Sequence, residues 1–287
     1  MYKRLDKIFN IFIKGLTFSS IIMLSFIIIF IMKESISIFE KVSVFEFLLG
    51  KEWDPLGQPP SVSIFPMILA TIYVSLLAVA IALPIGVGSA VFLTSILNKR
   101  MRKILKPSID LLAGLPSVIY GLIGLLVFVK FFEVHFDFSS GESVLAGGII
   151  LSIMILPFII STCDESMIKI CKQYKSTSEG LGVSKYHMIR YLILPACKKS
   201  ILAGVILAFG RAMGETMAVM MVIGNSPVFP KLFGKAQTIS SLIALEMGGA
   251  GVDSLHYHAL FAAGFVLMMI LFLVNMLFHY MKKSIDM

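Results

Sequence analysis

The sequence predicts an all-α integral membrane protein of six transmembrane helices with both termini in the cytoplasm. Hydrophobic residues make up 57% of the 287-residue chain and charged residues only 15%, against roughly 25% charged in a soluble domain. Six apolar stretches, 12–32, 68–97, 111–131, 143–163, 201–224 and 258–280, reach the roughly 20 residues that a helix needs to cross a bilayer core. The basic residues are lopsided as well. Eighteen of the 25 Lys and Arg follow the second and fourth stretches or lie at the two ends of the chain, against six in the other connections. Short cytoplasmic loops carry the Lys/Arg excess, so this asymmetry fixes the orientation.

The first stretch follows Lys3, Arg4 and Lys7; its length and the lack of an A-x-A site make it a retained anchor rather than a cleaved leader. Residues 1–66 form that anchor helix and an external connection, whose end, "PLGQPPSVSIFP", is too proline-rich for helix. Trp53 in this connection reads as an interfacial anchor, with contact to an external partner as the other reading. No charged residue or His lies between Asp54 and Lys99, yet the stretch 68–97 is too short for two passes. It reads as one long tilted helix kinked near Pro84. Residues 98–110 form a short basic inner loop. Pro116 and Pro157 are further candidate kinks in the third and fourth spans. A Gly- and Ser-rich outer segment, 225–257, is partly re-entrant or irregular. There is no soluble domain and no internal repeat.

Several function classes are excluded at this point. The net charge of +8 is mostly topology, so no nucleic-acid partner is expected. Cys163, Cys171 and Cys197 lie near the cytoplasmic side without CxxC spacing, as reduced structural thiols. His256 and His258 read as surface histidines with no third ligand at metal-like spacing, so no metal is expected. No nucleophile, base and orienting group share one span, and neither a catalytic residue nor a cofactor is assigned. There is no G-x-x-x-x-G-K-[ST] motif, since Gly50-Lys51 and Gly234-Lys235 lack its remaining residues. Any ATP must be hydrolysed by another polypeptide.

The informative anomaly is "GRAMGETMAVMMVIGN", residues 210–225, where Arg211 and Glu215 interrupt an apolar run. An intramembrane arginine costs about 2.5–3.5 kcal/mol on insertion scales, so it must face protein or water. At i,i+4 on a helix the two side chains can meet, and Gly210 and Gly214 make a GxxxG that lets another backbone approach. In one reading the two residues are a buried structural ion pair. In the other, the guanidinium fork of Arg211 grips an oxyanion bidentately, and Glu215 keeps it from holding too tightly for release. Met213, Met217, Met220 and Met221 read as core filler.

The cytoplasmic segment 164–200 carries Met188, Ile189, Leu192 and Ile193 at helical spacing before Pro195. Such a face suits a partner's groove or the lipid headgroups. Gly182, nine further residues, and then Leu192, Ile193, Leu194 and Pro195 resemble the cytoplasmic signature of ABC importer permeases. The signature's Glu-Ala-Ala is replaced by Ser176, Thr177 and Ser178, with Glu179 displaced. "LLAGLPSVIYG", "GGIILSIMILPFI", the 210–225 run and "WDP" at 53–55 extend the resemblance over nearly the whole chain, to phosphate-specific transport permeases of the PstC type.

That resemblance implies a type I ABC importer permease of MetI-like architecture in a bacterial or archaeal cell (inner) membrane, with residues 67–283 as the permease domain. It implies a coupling loop that docks on an ATPase through Gly182, Leu192, Leu194 and Pro195. It further implies a PstA-type second permease, a PstB-type ATPase dimer, an external phosphate-binding protein, and phosphate passing Arg211 and Glu215. Two alternatives stay open. A passive anion channel would share the arginine but not the coupling pattern, and sulfate or molybdate would offer the arginine the same tetrahedral oxygens.

Overall fold

A computed structural model describes residues 2–136 and 140–286. The side chains of Lys3, Arg4, Lys7, Lys282 and Lys283, counted in the basic asymmetry, lie outside what is described. Helix α1, Tyr2–Ile36, leads through a short turn to α2, Val44–Leu49. A small hairpin pairs β1, Trp53–Asp54, with β2, Ser61–Val62. Helix α3, Phe65–Val91, runs on in a π turn to Ile96, and α4 spans Lys99–Ala113. Helices α5, Ser117–Ile123, and α6, Lys130–His135, are joined by a π turn into one crossing, and α7 is the long helix Val144–Gly180. A cytoplasmic helix follows, made of α8, Lys185–His187, a π segment, and α9, Leu194–Ala196. The chain closes with α10, Lys198–Met213, α11, Met217–Met220, α12, Ile239–Glu246, and α13, Leu255–Asp286.

Among the described residues, five helical segments are long and apolar enough to cross a membrane: Phe9–Glu40, Phe65–Ile96, Ser117–His135, Val144–Gly180 and Leu255–Leu277. Lys198–Met213, which passes the same test together with the cytoplasmic helix Lys185–Ala196 bent from it by 61°, brings the candidate crossings to six when counted as a span. The all-α class and the six spans hold. The expected fifth span, 201–224, is not one helix, however. It stops at Gly214, whose N–H reaches back to the Gly210 carbonyl, and the Glu215 N–H turns to Ala212.

The packing core is the pair α3 and α7. Ala70, Val74, Ala78, Ala82, Gly86 and Ala90 recur every fourth residue along α3, all buried, and such a small-residue stripe lets helix backbones approach in a lipid environment. The fit is close on both sides. A Cβ on Gly86 would lie 2.7 Å from the Ile159 side chain, and one on Gly148 2.6 Å from Leu77. Polar groups within α3 are satisfied locally, Thr71 donating to the Met67 carbonyl and Ser75 to that of Thr71.

Residues 98–110 are a helix rather than a loop. Asn98 caps α4 by accepting from the Met101 N–H at 2.9 Å, and the helix is fastened to α7 by its charges. Arg102 meets Asp164 at 2.5 Å and also donates to the Leu93 carbonyl, while Thr94 donates to the other Asp164 oxygen at 2.7 Å. Asp164 is only 1% exposed, so this clamp offsets the cost of a buried carboxylate. One turn further, Lys106 pairs with Asp110 and donates to Ser161, which itself donates to Asp110.

On the outer side, the chain beyond α11 folds back over the start of α7. The Val144 and Leu145 N–H groups donate to the carbonyls of Gly234 and Leu232, and that of Ser143 to Val222. The Ser143 hydroxyl accepts from Ala146. The positive end of α7 is thereby closed off by the protein's own backbone. Trp53 is not an interfacial anchor. It is 8% exposed and donates to Glu246 at 2.9 Å, while His256 holds the same carboxylate oxygen at 2.8 Å. The external connection is thus latched to the ends of α12 and α13.

Candidate functional site

Arg211 stands in the last turn of α10, roughly 20 Å along the helix from Lys198 at 1.5 Å per residue, well inside the apolar run 201–224. Its guanidinium lies over the Phe158 ring of α7, 4.4 Å from the centroid, a cation–π contact. It forms no ion pair with any described residue. Glu215, expected one helical turn away as its partner, lies beyond the helix end, and its carboxylate instead accepts from the Ala218 N–H at 3.3 Å, capping α11. Its carbonyl accepts from Ser240 at 2.9 Å, tying the break to the start of α12. The break at Gly214 removes the i,i+4 geometry on which the pairing depended.

The face that carries Arg211 is open. A Cβ built at Gly210 would meet nothing within 4 Å, and one at Gly214 would meet only carbonyls of its own turn. Leu207, one turn earlier on the same face, is 63% exposed. The GxxxG is therefore not a packing surface within this chain. An arginine on an exposed intramembrane face must meet protein or water. Of the methionines, Met213 is buried as core filler, whereas Met217 is exposed.

The second candidate region is the cytoplasmic loop. Gly182 has φ +66°, its N–H bonds to the Glu179 carbonyl, and the Val183 N–H bonds to that of Ser178. These are the two hydrogen bonds of a Schellman C-cap, and they need a residue in the left-handed region. Ser184 then starts the next helix, accepting from the His187 N–H. The expected apolar face of Met188, Ile189, Leu192 and Ile193 is redistributed. The π segment places residues five apart on one face, so Met188 and Ile193 are buried and Leu192 is exposed. Leu194 is half-buried and Pro195 exposed. Facing the cytoplasm are Leu181, Tyr186, Tyr191 and Leu192, with Arg190 donating to the Tyr186 hydroxyl at 2.6 Å and lying near both tyrosine rings. Exposed aromatics grouped around an arginine are the residue types that dominate binding interfaces.

Sequence reasoning missed the Asp164 clamp and the environment of the histidines. His256 and His258 are not surface residues. Their side chains are 12% and 14% exposed, facing Glu246 and Glu34 respectively. Cys163, Cys171 and Cys197 are free thiols.

A chain that crosses the membrane six times, opens a charged face midway through and projects a helical loop into the cytoplasm is a subunit of a membrane transporter. It belongs to the family of binding-protein-dependent transport system inner membrane components, whose model matches residues 82–286. The chain is 38% identical over 243 residues to a probable ABC transporter permease protein, YqgH, of Bacillus subtilis, covering 84% of this chain and 79% of that one. It is 35% identical over 262 residues to the phosphate transport system permease protein PstC of Mesorhizobium japonicum, with the same coverage of each. To a probable PstC of Methanocaldococcus jannaschii it is 38% identical over 234 residues, covering 75% of this chain and 74% of the relative. Among solved structures, a chain of the MetNI methionine ABC transporter in inward facing conformations superposes with a TM-score of 0.56 at 14% identity, covering 77% of this chain and 93% of that one. The likeness supports the MetI-like architecture and bears on the fold alone. The protein is a multi-pass permease subunit, not itself a catalyst.

Proposed function

We propose that this chain is the phosphate-conducting permease subunit of an ATP-driven importer. Arg211 carries the reading. It is a permanently charged planar fork, well inside the apolar run 201–224, on a face that nothing in the chain covers, and no described carboxylate engages it. Such a group suits a tetrahedral oxyanion, which it meets with two parallel hydrogen bonds. The Phe158 ring lies 4.4 Å from the guanidinium carbon and attracts its charge, which competes with a bound anion and so favours release. Glu215 belongs to the same path as a positioning residue that fixes the break beside the arginine. The choice of phosphate over sulfate or molybdate is supported by the PstC relatives, which are named phosphate transport permeases.

In this reading a PstA-type second permease covers the Gly210–Gly214 face and completes the path. A PstB-type ATPase dimer docks on the loop 164–200 through the surface set by Gly182, Leu192, Leu194 and Pro195, and a phosphate-binding protein delivers the anion outside. Residues 1–66 act as anchor and external connection, and 67–283 as the permease domain. The test is uptake of labelled phosphate and labelled sulfate in membranes carrying the complex with and without its ATPase. Arg211→Lys keeps the charge and loses the fork, so phosphate uptake should fall about 10- to 100-fold, the equivalent of one charge-assisted hydrogen bond, with complex yield unchanged. Full uptake by Arg211→Gln would refute the role of the arginine, and uptake without the ATPase would favour a passive channel.

A further inference from the structure

The geometry points to a divalent-cation site on the outer side of the protein, formed by Glu34, Asp253 and His258. Three separate elements deliver the ligands: Glu34 from the end of α1, Asp253 from the turn before α13, and His258 from the first turns of α13. One donor atom from each lies within 4.8 Å of the others. Three points no farther apart than that share a centre at most ~2.8 Å from each, so a shift of under ~1 Å brings them to the 2.0–2.2 Å of nitrogen and carboxylate ligands.

Two features separate this cluster from an ordinary His–carboxylate pair. Two residues away, His256 makes such a pair with Glu246 at 2.8 Å. His258 Nδ1 stands 3.3 Å from Glu34, longer than a charge-assisted hydrogen bond, and although buried it makes no hydrogen bond within the protein. Asp253, for its part, is held at φ +59°, brings a second carboxylate to Glu34 and makes no side-chain hydrogen bond or ion pair with any described residue. Two carboxylates so close repel unless a cation lies between them. One imidazole with two carboxylates suits a transition cation such as Zn²⁺ or Mn²⁺, since an all-oxygen set would be expected for Mg²⁺ or Ca²⁺. Such an ion would pin the outer end of α1, whose most apolar stretch contains no fully buried residue, to α13, which it already touches through Phe30 and Phe261.

The experiment is metal analysis and thermal unfolding of the full chain in its detergent-extracted complex, titrated separately with Zn²⁺, Mn²⁺ and Mg²⁺. About one equivalent of Zn²⁺ or Mn²⁺ per chain should be retained and should raise the unfolding midpoint, with Mg²⁺ inert. Asp253→Asn is the decisive variant, because the residue is exposed and asparagine tolerates a positive φ. It should fold normally and bind the metal at least ~10-fold more weakly. Glu34→Gln and His258→Gln should do the same, whereas His256→Gln should retain the ion. The site is overturned if the unaltered chain retains no metal, if Asp253→Asn binds as tightly as the unaltered chain, or if His256→Gln abolishes binding.

Discussion

Arg211 and Glu215 stand out in the sequence as charges in an apolar run, and cost alone says that each must face protein or water. Their relation was not. Gly214 carries two readings, half of a GxxxG or the end of a helix, and periodicity favours the first because the run stays apolar through residue 224. The structure takes the second, and the arginine turns to Phe158 instead. A consequence follows for a double variant. Residues that do not share an interaction behave additively, so the uptake losses of Arg211→Gln and Glu215→Gln should multiply. Recovery of uptake in the pair would show that the two charges compensate each other after all. Glu215→Ala should be worse than Glu215→Gln in complex yield, because the amide oxygen can still accept from Ala218 and a methyl group cannot.

Among the elements, the amphipathic α4 and the small-residue stripe of α3 were both written in the sequence, the first disguised by its density of Lys and Arg and the second by the uniform apolarity around it. The Asp164 clamp was not legible, since it joins residues 62 apart and no local pattern announces a partner at that distance. Arg102→Ala leaves the buried Asp164 carboxylate without its main counter-charge. It should lower the stability of the extracted protein by about 3–5 kcal/mol, measurable as a drop in unfolding midpoint. For the coupling loop the sequence marks Gly182 as special, and the structure gives the reason. Open space surrounds it, so a side chain is opposed by φ rather than by crowding. Gly182→Asn should therefore retain ATPase co-purification and uptake, while Gly182→Val, which pays about 1–2 kcal/mol in the left-handed region, should weaken both. Equal loss with asparagine would mean that close contact with a partner sets the requirement.

For the molecule as a whole, composition was enough to give the class and the number of candidate crossings, and the basic-residue bias predicts the orientation. In a cysteine-free background, a cysteine at Lys51 should react with an impermeant thiol reagent applied outside, and one at Lys103 or Lys172 should be protected. Labelling at Lys172 from outside would reverse the topology. What the sequence understated is α7, where the expected span of 143–163 is the first part of a helix that continues to Gly180. At 1.5 Å per residue its 37 residues run ~55 Å, against a hydrocarbon core of ~30 Å. One uninterrupted rod thus joins the outer segment bonded at Val144 to the glycine turn that opens the coupling loop. A rod of that length moves its tip by about 1 Å for each degree of tilt. A tilt of α7 about its cytoplasmic end would therefore displace the 222–236 segment bonded to its outer end and would carry Phe158 with it.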